Sequence, residues 1–201
     1  MNIQVDSLPA DNGSLRPALG LALVVLLVTG LLYSLAGTGL GRLLFPRQAT
    51  GSIVERDGVA VGSALVAQPF DDARYFQPRP SAANYDPMAA AGSNQARSNP
   101  ALRERIEAAT AEVAARDGIT AADVPAELVT QSGSGLDPDL SPAGVRVQVA
   151  RVAAARRLSP DVVAGLVAEH TQARQFGLLG EPRVNVLALN LALDALDSGA
   201  P

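Results

Sequence analysis

From Pro17 to Gly41 no charged residue interrupts the chain, and Leu19 to Tyr33 is almost wholly aliphatic. A gap of about 25 residues exceeds the roughly 20 that cross a hydrocarbon core as a helix. Arg16 stands before it, Arg42 and Arg47 after it, and Phe45 is placed for an aromatic belt at the far interface. Ser34-Leu35-Ala36 would suit the cleavage site of a secretory signal. An apolar run longer than the usual ~7–15 residues, preceded by a single arginine, argues instead for an uncleaved anchor. Residues 17–41 are therefore predicted as a transmembrane helix between a tail, 1–16, and one soluble domain, 46–201. Within the anchor, Gly30, Ser34, Gly37 and Gly41 recur at spacings of four, three and four. Such a small-residue face lets helix backbones approach closely in lipid. One arginine before the span and two after it leave the sidedness open, because long domains cross largely regardless of flanking charge.

Behind the anchor the pattern changes twice. Ile53-Val54 and the run Val59 to Ala67 flank Asp57-Gly58, which predicts a β-hairpin around a tight turn. Asp71 to Asn99 is rich in Pro, Asn, Ser and Gly, and is unusually long for a structureless loop in a compact domain. Helical spacing begins at Asn99-Pro100, where Leu102, Ile106, Ala109 and Val113 share one face, Arg103, Glu104, Arg105, Glu107 and Glu112 face water, and Gly118 ends the helix. A short helix is predicted near Pro125 to Val129. Two further helices open on Ser141-Pro142 and Ser159-Pro160. Gly177 to Arg183 then turns the chain into Val184 to Leu193, a run of mixed period read as a closing helix. The expected fold class is α+β, with one membrane helix, a hairpin-bearing sheet and a helical C-terminal half.

Composition narrows the chemistry. All 16 basic side chains are arginines, so neither a Walker-type phosphate loop nor Schiff-base catalysis is available. The Asp-Lys-Thr-Gly phosphorylation signature of a P-type ATPase is absent for the same reason. No cysteine and a single histidine exclude thiolate and multi-imidazole sites, and the acidic residues have no EF-hand spacing. A net charge of -4 with scattered arginines argues against nucleic acid as a partner. Aromatics make up 3% of the chain, so its core must be built mostly from Ala, Val, Leu and Ile.

The residues that could carry function are few. His170 and Ser134 could be combined into an anchored hydrolase, but Gln131-Ser132-Gly133-Ser134-Gly135 lacks the first glycine of a nucleophile elbow. The same loop could instead cradle an anion with converging backbone N–H groups, although Asp137 and Asp139 would repel a polyanion. As an exposed flexible link it would serve only to let Ser141 cap the next helix. Neither a catalytic set nor a metal site emerges.

Several motifs occur together and in order. They are Phe45-Pro46, Tyr75-Phe76…Arg79-Pro80-Ser81, Tyr85-Asp86-Pro87, Gly92-Ser93-Asn94, Ser132-Gly133-Ser134-Gly135-Leu136-Asp137-Pro138, Gln148-Val149-Ala150-Arg151-Val152-Ala153 and Gly180-Glu181-Pro182-Arg183-Val184-Asn185-Val186-Leu187. Over the anchor and nearly the whole soluble part, the chain resembles the KdpC family, the C subunits of bacterial Kdp potassium-transporting P-type ATPases. It departs at Ala67 and Ala90-Ala91, where the family usually has glycines, and in a longer tail before Arg16. The resemblance implies a non-catalytic, single-pass subunit of the bacterial inner membrane. Its implied partners are a channel-like A subunit, an ATP-hydrolysing B subunit, a small F subunit and membrane lipid. Two roles are implied. One is a catalytic chaperone that raises the ATP affinity of the B subunit through Gln131, Ser132, Gly133, Ser134, Gly135 and Asp137. The other is an extracytoplasmic cap on the A subunit without nucleotide contact. ATP, shared with the catalytic subunit, is the one ligand implied, and the external placement is the expectation adopted for the soluble domain.

Overall fold

A computed structural model describes residues 15–198. The chain divides between Gly51 and Ser52 into two compact units. In the first, Leu15–Leu44 is one apolar helix of 30 residues, long enough to cross a bilayer. It extends the expected span at both ends and takes in Arg16 and Arg42, whose long side chains can carry their charge to the interfaces. Its α-helical parts, α1 (Leu15–Val25) and α2 (Tyr33–Leu44), are joined by a π-helical stretch, Leu26–Leu32. There Tyr33 donates its N–H to the Val28 carbonyl, five residues back. The Thr29 hydroxyl donates to the Val25 carbonyl at 2.6 Å. A short helix, α3 (Pro46–Ala49), follows Phe45.

The second unit opens on the predicted hairpin. Strands β1 (Ile53–Arg56) and β2 (Val59–Ser63) pair antiparallel, and Asp57 and Gly58 both take positive φ, 53° and 76°. Two left-handed residues in a two-residue loop match the right-handed twist of the flanking strands. β2 stops at Ser63 rather than Ala67, because Ser63 and Val66 close a turn. The hairpin forms its own two-stranded sheet. A second, antiparallel sheet has the order β3-β5-β4, from β3 (Asp139–Leu140), β4 (Thr171–Gln172) and β5 (Arg183–Asn185).

The helices keep their predicted starts. In α4 (Pro100–Asp117) the Asn99 side chain accepts from Ala101 N–H, and Gly118 closes the C-terminus with φ 67°. Ser141 and Ser159 likewise cap α5 (Pro142–Arg146) and α7 (Pro160–His170). The helix expected from Ser141 onward is broken before α6 (Val149–Arg156), where Gln148 is completely buried. The mixed run after Pro182 resolves into strand and helix: Val184 and Asn185 stay in β5, and α8 (Val186–Ser198) begins at Val186. Arg105, expected on the wet face of α4, is half-buried and donates to Gln95. The core is aliphatic as composition required, with Val145, Val152, Val163, Val184, Leu189 and Leu193 fully buried around one phenylalanine, Phe76.

Candidate functional site

The long loop 71–99 is held by side chains from α4, α6 and α8, together with Gln148 just before α6. Asn190 accepts from Phe76 N–H and donates to Phe76 C=O, both at 2.9 Å. Gln148 does the same for Gln77, at 2.9 and 3.1 Å. Two buried amides thus stand in for a neighbouring strand and satisfy the backbone of two consecutive residues. Arg151 donates to the carbonyls of Ala73 and Tyr75 and pairs with Asp117 at 2.7 Å. Arg156, buried on α6, donates to Arg74 C=O, pairs with Asp194 at 2.7 Å and lies 4.9 Å over the Tyr75 ring. Sequence reasoning missed this set. Its available signal was a polar residue standing at an apolar position, as in Val147-Gln148-Val149 and Leu189-Asn190-Leu191.

Against this ordered loop lies the segment Gln131–Asp137. Ser132 is buried and donates its N–H to Pro80 C=O at 3.0 Å. Gly135 N–H donates to Ser132 C=O, and Leu136 N–H to the Ser134 hydroxyl. Leu136 C=O receives Ala67 N–H at 3.0 Å. Arg79 pairs with Asp137 at 3.1 Å. The exposed flexible link expected here is therefore incorrect: the segment is clamped by residues more than 40 positions upstream, and only Gly133 and Ser134 are exposed. Several of the N–H groups an anion cradle would need are already engaged within the protein.

Gly135 has φ 74°, and a Cβ there would lie 2.8 Å from Ala91 C=O. On the opposite strand of loop, a Cβ at Gly92 would meet Gly133 C=O at the same distance. The two segments thus touch backbone to backbone. Within loop 71–99 itself, the Tyr85 hydroxyl donates to Arg79 C=O at 3.0 Å. Burial, with the nearby Asp71 charge, holds that hydroxyl above its ordinary pKa.

Beyond Asp137 a cleft of about 320 Å³ is lined by Glu127, Asp137, Asp139 and Glu181, with Arg183 the one cation. Arg183 is engaged by Asp139 at 3.2 Å. Burial raises the Asp139 pKa, against the opposing effects of Asn185 and Arg183. This surface is acidic where a nucleotide would need positive charge. His170 Nδ1 bonds to Leu166 C=O within α7, while the Ser134 hydroxyl bonds to Ser132. Serine and histidine are thus engaged separately, and among the described residues no hydrogen bond joins them.

The description "K+-transporting ATPase, c chain" belongs to the KdpC family model, which matches residues 15–195. The chain belongs to the KdpC family. It is 63% identical over 196 residues to the potassium-transporting ATPase KdpC subunit of Xanthomonas campestris pv. campestris strain B100, covering 97% of this chain and 94% of that protein. The corresponding subunit of Xanthomonas oryzae pv. oryzae is 65% identical over 96% of this chain and 93% of its own length. That of Shewanella putrefaciens is 53% identical over 87% and 88%. Several motifs noted in the sequence make the contacts just described: Tyr75-Phe76, Arg79-Pro80-Ser81, the Ser-Gly-Ser-Gly segment, and Gln148 with Arg151.

Proposed function

We propose that the chain is a non-catalytic accessory subunit of an ATP-driven potassium-uptake complex, and that its Gln131–Asp137 segment is a contact for a partner subunit. The observation that carries this is the internal commitment of that segment, with Ser132 bonded to Pro80 and Asp137 to Arg79, beside an acidic cleft. A preordered, uncharged Gly133-Ser134 tip suits a protein surface, whereas phosphates need unengaged donors or cations. The soluble domain lies on the extracytoplasmic face in this reading. Protease added to intact spheroplasts should then cleave it, and calorimetry of the full chain in detergent should detect no ATP binding at millimolar nucleotide. Sub-millimolar affinity that disappears in Gly133→Val, with a domain protected in spheroplasts, would favour the nucleotide chaperone instead. That second reading has one observation behind it, the exposure of Gly133 and Ser134.

The membrane helix contributes to assembly through its small residues. A Cβ at Gly30, Gly37 or Gly41 would meet nothing within 4 Å, so a larger side chain there does not disturb the helix sterically. In lipid, close approach between helices depends on such residues. Gly30→Leu combined with Gly37→Leu is expected to reduce retention of this subunit by its membrane partners during detergent purification. Full retention would show that the face of Gly30, Ser34, Gly37 and Gly41 points to lipid.

A further inference from the structure

The turn joining β4 to β5 presents an apolar knob that none of the contacts above uses. Phe176 is 92% exposed, Leu178 80% and Leu179 61%. In a chain with only four phenylalanines, and no tryptophan, one of them stands almost fully in solvent. The turn is nonetheless well built. Gln175 and Leu179 exchange both backbone hydrogen bonds at 2.9 Å, Gly177 N–H donates to Arg174 C=O, and Leu178 N–H to Gln175 C=O. Phe176 itself has φ 54°, a left-handed conformation that bulky residues rarely adopt. Strain at an exposed aromatic, maintained by four hydrogen bonds, marks a side chain whose position has a use.

We infer that this knob, Phe176 with Leu178 and Leu179, is the soluble domain's docking anchor for an uncharged apolar socket on another subunit of the complex; the inference rests on the accessory-subunit reading above. Charge selects this occupant over a lipid surface. A membrane-binding loop pairs its apolar tip with cations free to meet anionic headgroups. Here Arg174 is paired with Glu181 at 2.6 Å and Arg183 with Asp139 at 3.2 Å, so the cations at the base of the turn are neutralised. An apolar centre bordered at its base by two ion pairs has the make-up of an interface hot spot with a polar rim. Its small size suffices because a chain anchored in the same membrane meets its partner at high effective concentration.

The test uses the full chain co-expressed with its complex. Phe176→Asp should lower retention of the subunit about tenfold or more, with an unchanged melting midpoint because the side chain packs on nothing. Phe176→Trp gives this chain its one tryptophan, whose emission, read as the difference between variant and unaltered complexes, should shift to the blue on assembly and stay unquenched by brominated lipids. Quenching by those lipids would overturn the inference in favour of the membrane, and emission unchanged by assembly would overturn it outright. Full retention of Phe176→Asp beside a retained unaltered chain would defeat the knob alone. Loss of the unaltered chain itself would defeat the subunit reading and this inference together.

Discussion

Asn190→Leu should cost the soluble domain about 3 kcal/mol, from the desolvation of two buried groups left without partners. Both the N–H and the C=O of Phe76 are satisfied by the Asn190 amide at 2.9 Å, and Phe76 and Asn190 are 0% and 1% exposed. Leucine fills similar space but offers neither a donor nor an acceptor. Water has no easy access, so each backbone group carries its full penalty rather than exchanging one partner for another. The loss should appear as a lower urea midpoint for the full chain in detergent, read by resistance of the soluble domain to protease. Gln148→Leu should act similarly through Gln77, and the double variant should depart from additivity because the two amides hold adjacent residues. A shift below about 0.5 kcal/mol for Asn190→Leu, the level of an ordinary surface change, would mean that loop 71–99 is not held by these clamps.

Those clamps also explain what could and could not be read from the chain. The hairpin turn at Asp57-Gly58, the Asn99-Pro100 start of α4 and the two Ser-Pro caps depend on residues within three or four positions of each other, and all form as expected. The long apolar helix was legible because a long uncharged run needs no tertiary information. Loop 71–99 was not, since its order depends on Gln148, Arg151, Arg156 and Asn190, each more than 70 residues away in sequence. The same distance hid the break between α5 and α6, which places Gln148 beside Gln77. The candidate segment at Gln131–Asp137 was found by its glycines and serines, but its rigidity was misjudged. Arg79, which engages Asp137, lies 58 positions earlier, and nothing local to the segment reveals it.

That rigidity separates two glycines that the sequence treats alike. Gly135→Val should destabilise the domain by about 3 kcal/mol, from a left-handed backbone that β-branched residues avoid and from overpacking. Its φ is 74°, and the new Cβ would meet Ala91 C=O at 2.8 Å and Ala83 Cβ at 3.1 Å, neither of which is the flexible end of a side chain. At Gly133 a Cβ meets nothing within 4 Å, and the residue is exposed. Gly133→Val should therefore leave the unfolding free energy within about 0.5 kcal/mol of the unaltered chain. The pair then discriminates between folding and recognition. If Gly133-Ser134 is where a partner subunit rests, Gly133→Val reduces potassium transport by the assembled pump while stability stays unchanged, and Gly135→Val reduces both. Normal transport with Gly133→Val would remove this tip from the interface, leaving the Ser-Gly-Ser-Gly segment as a structural joint that ties the chain to Pro80, Ala67 and Arg79.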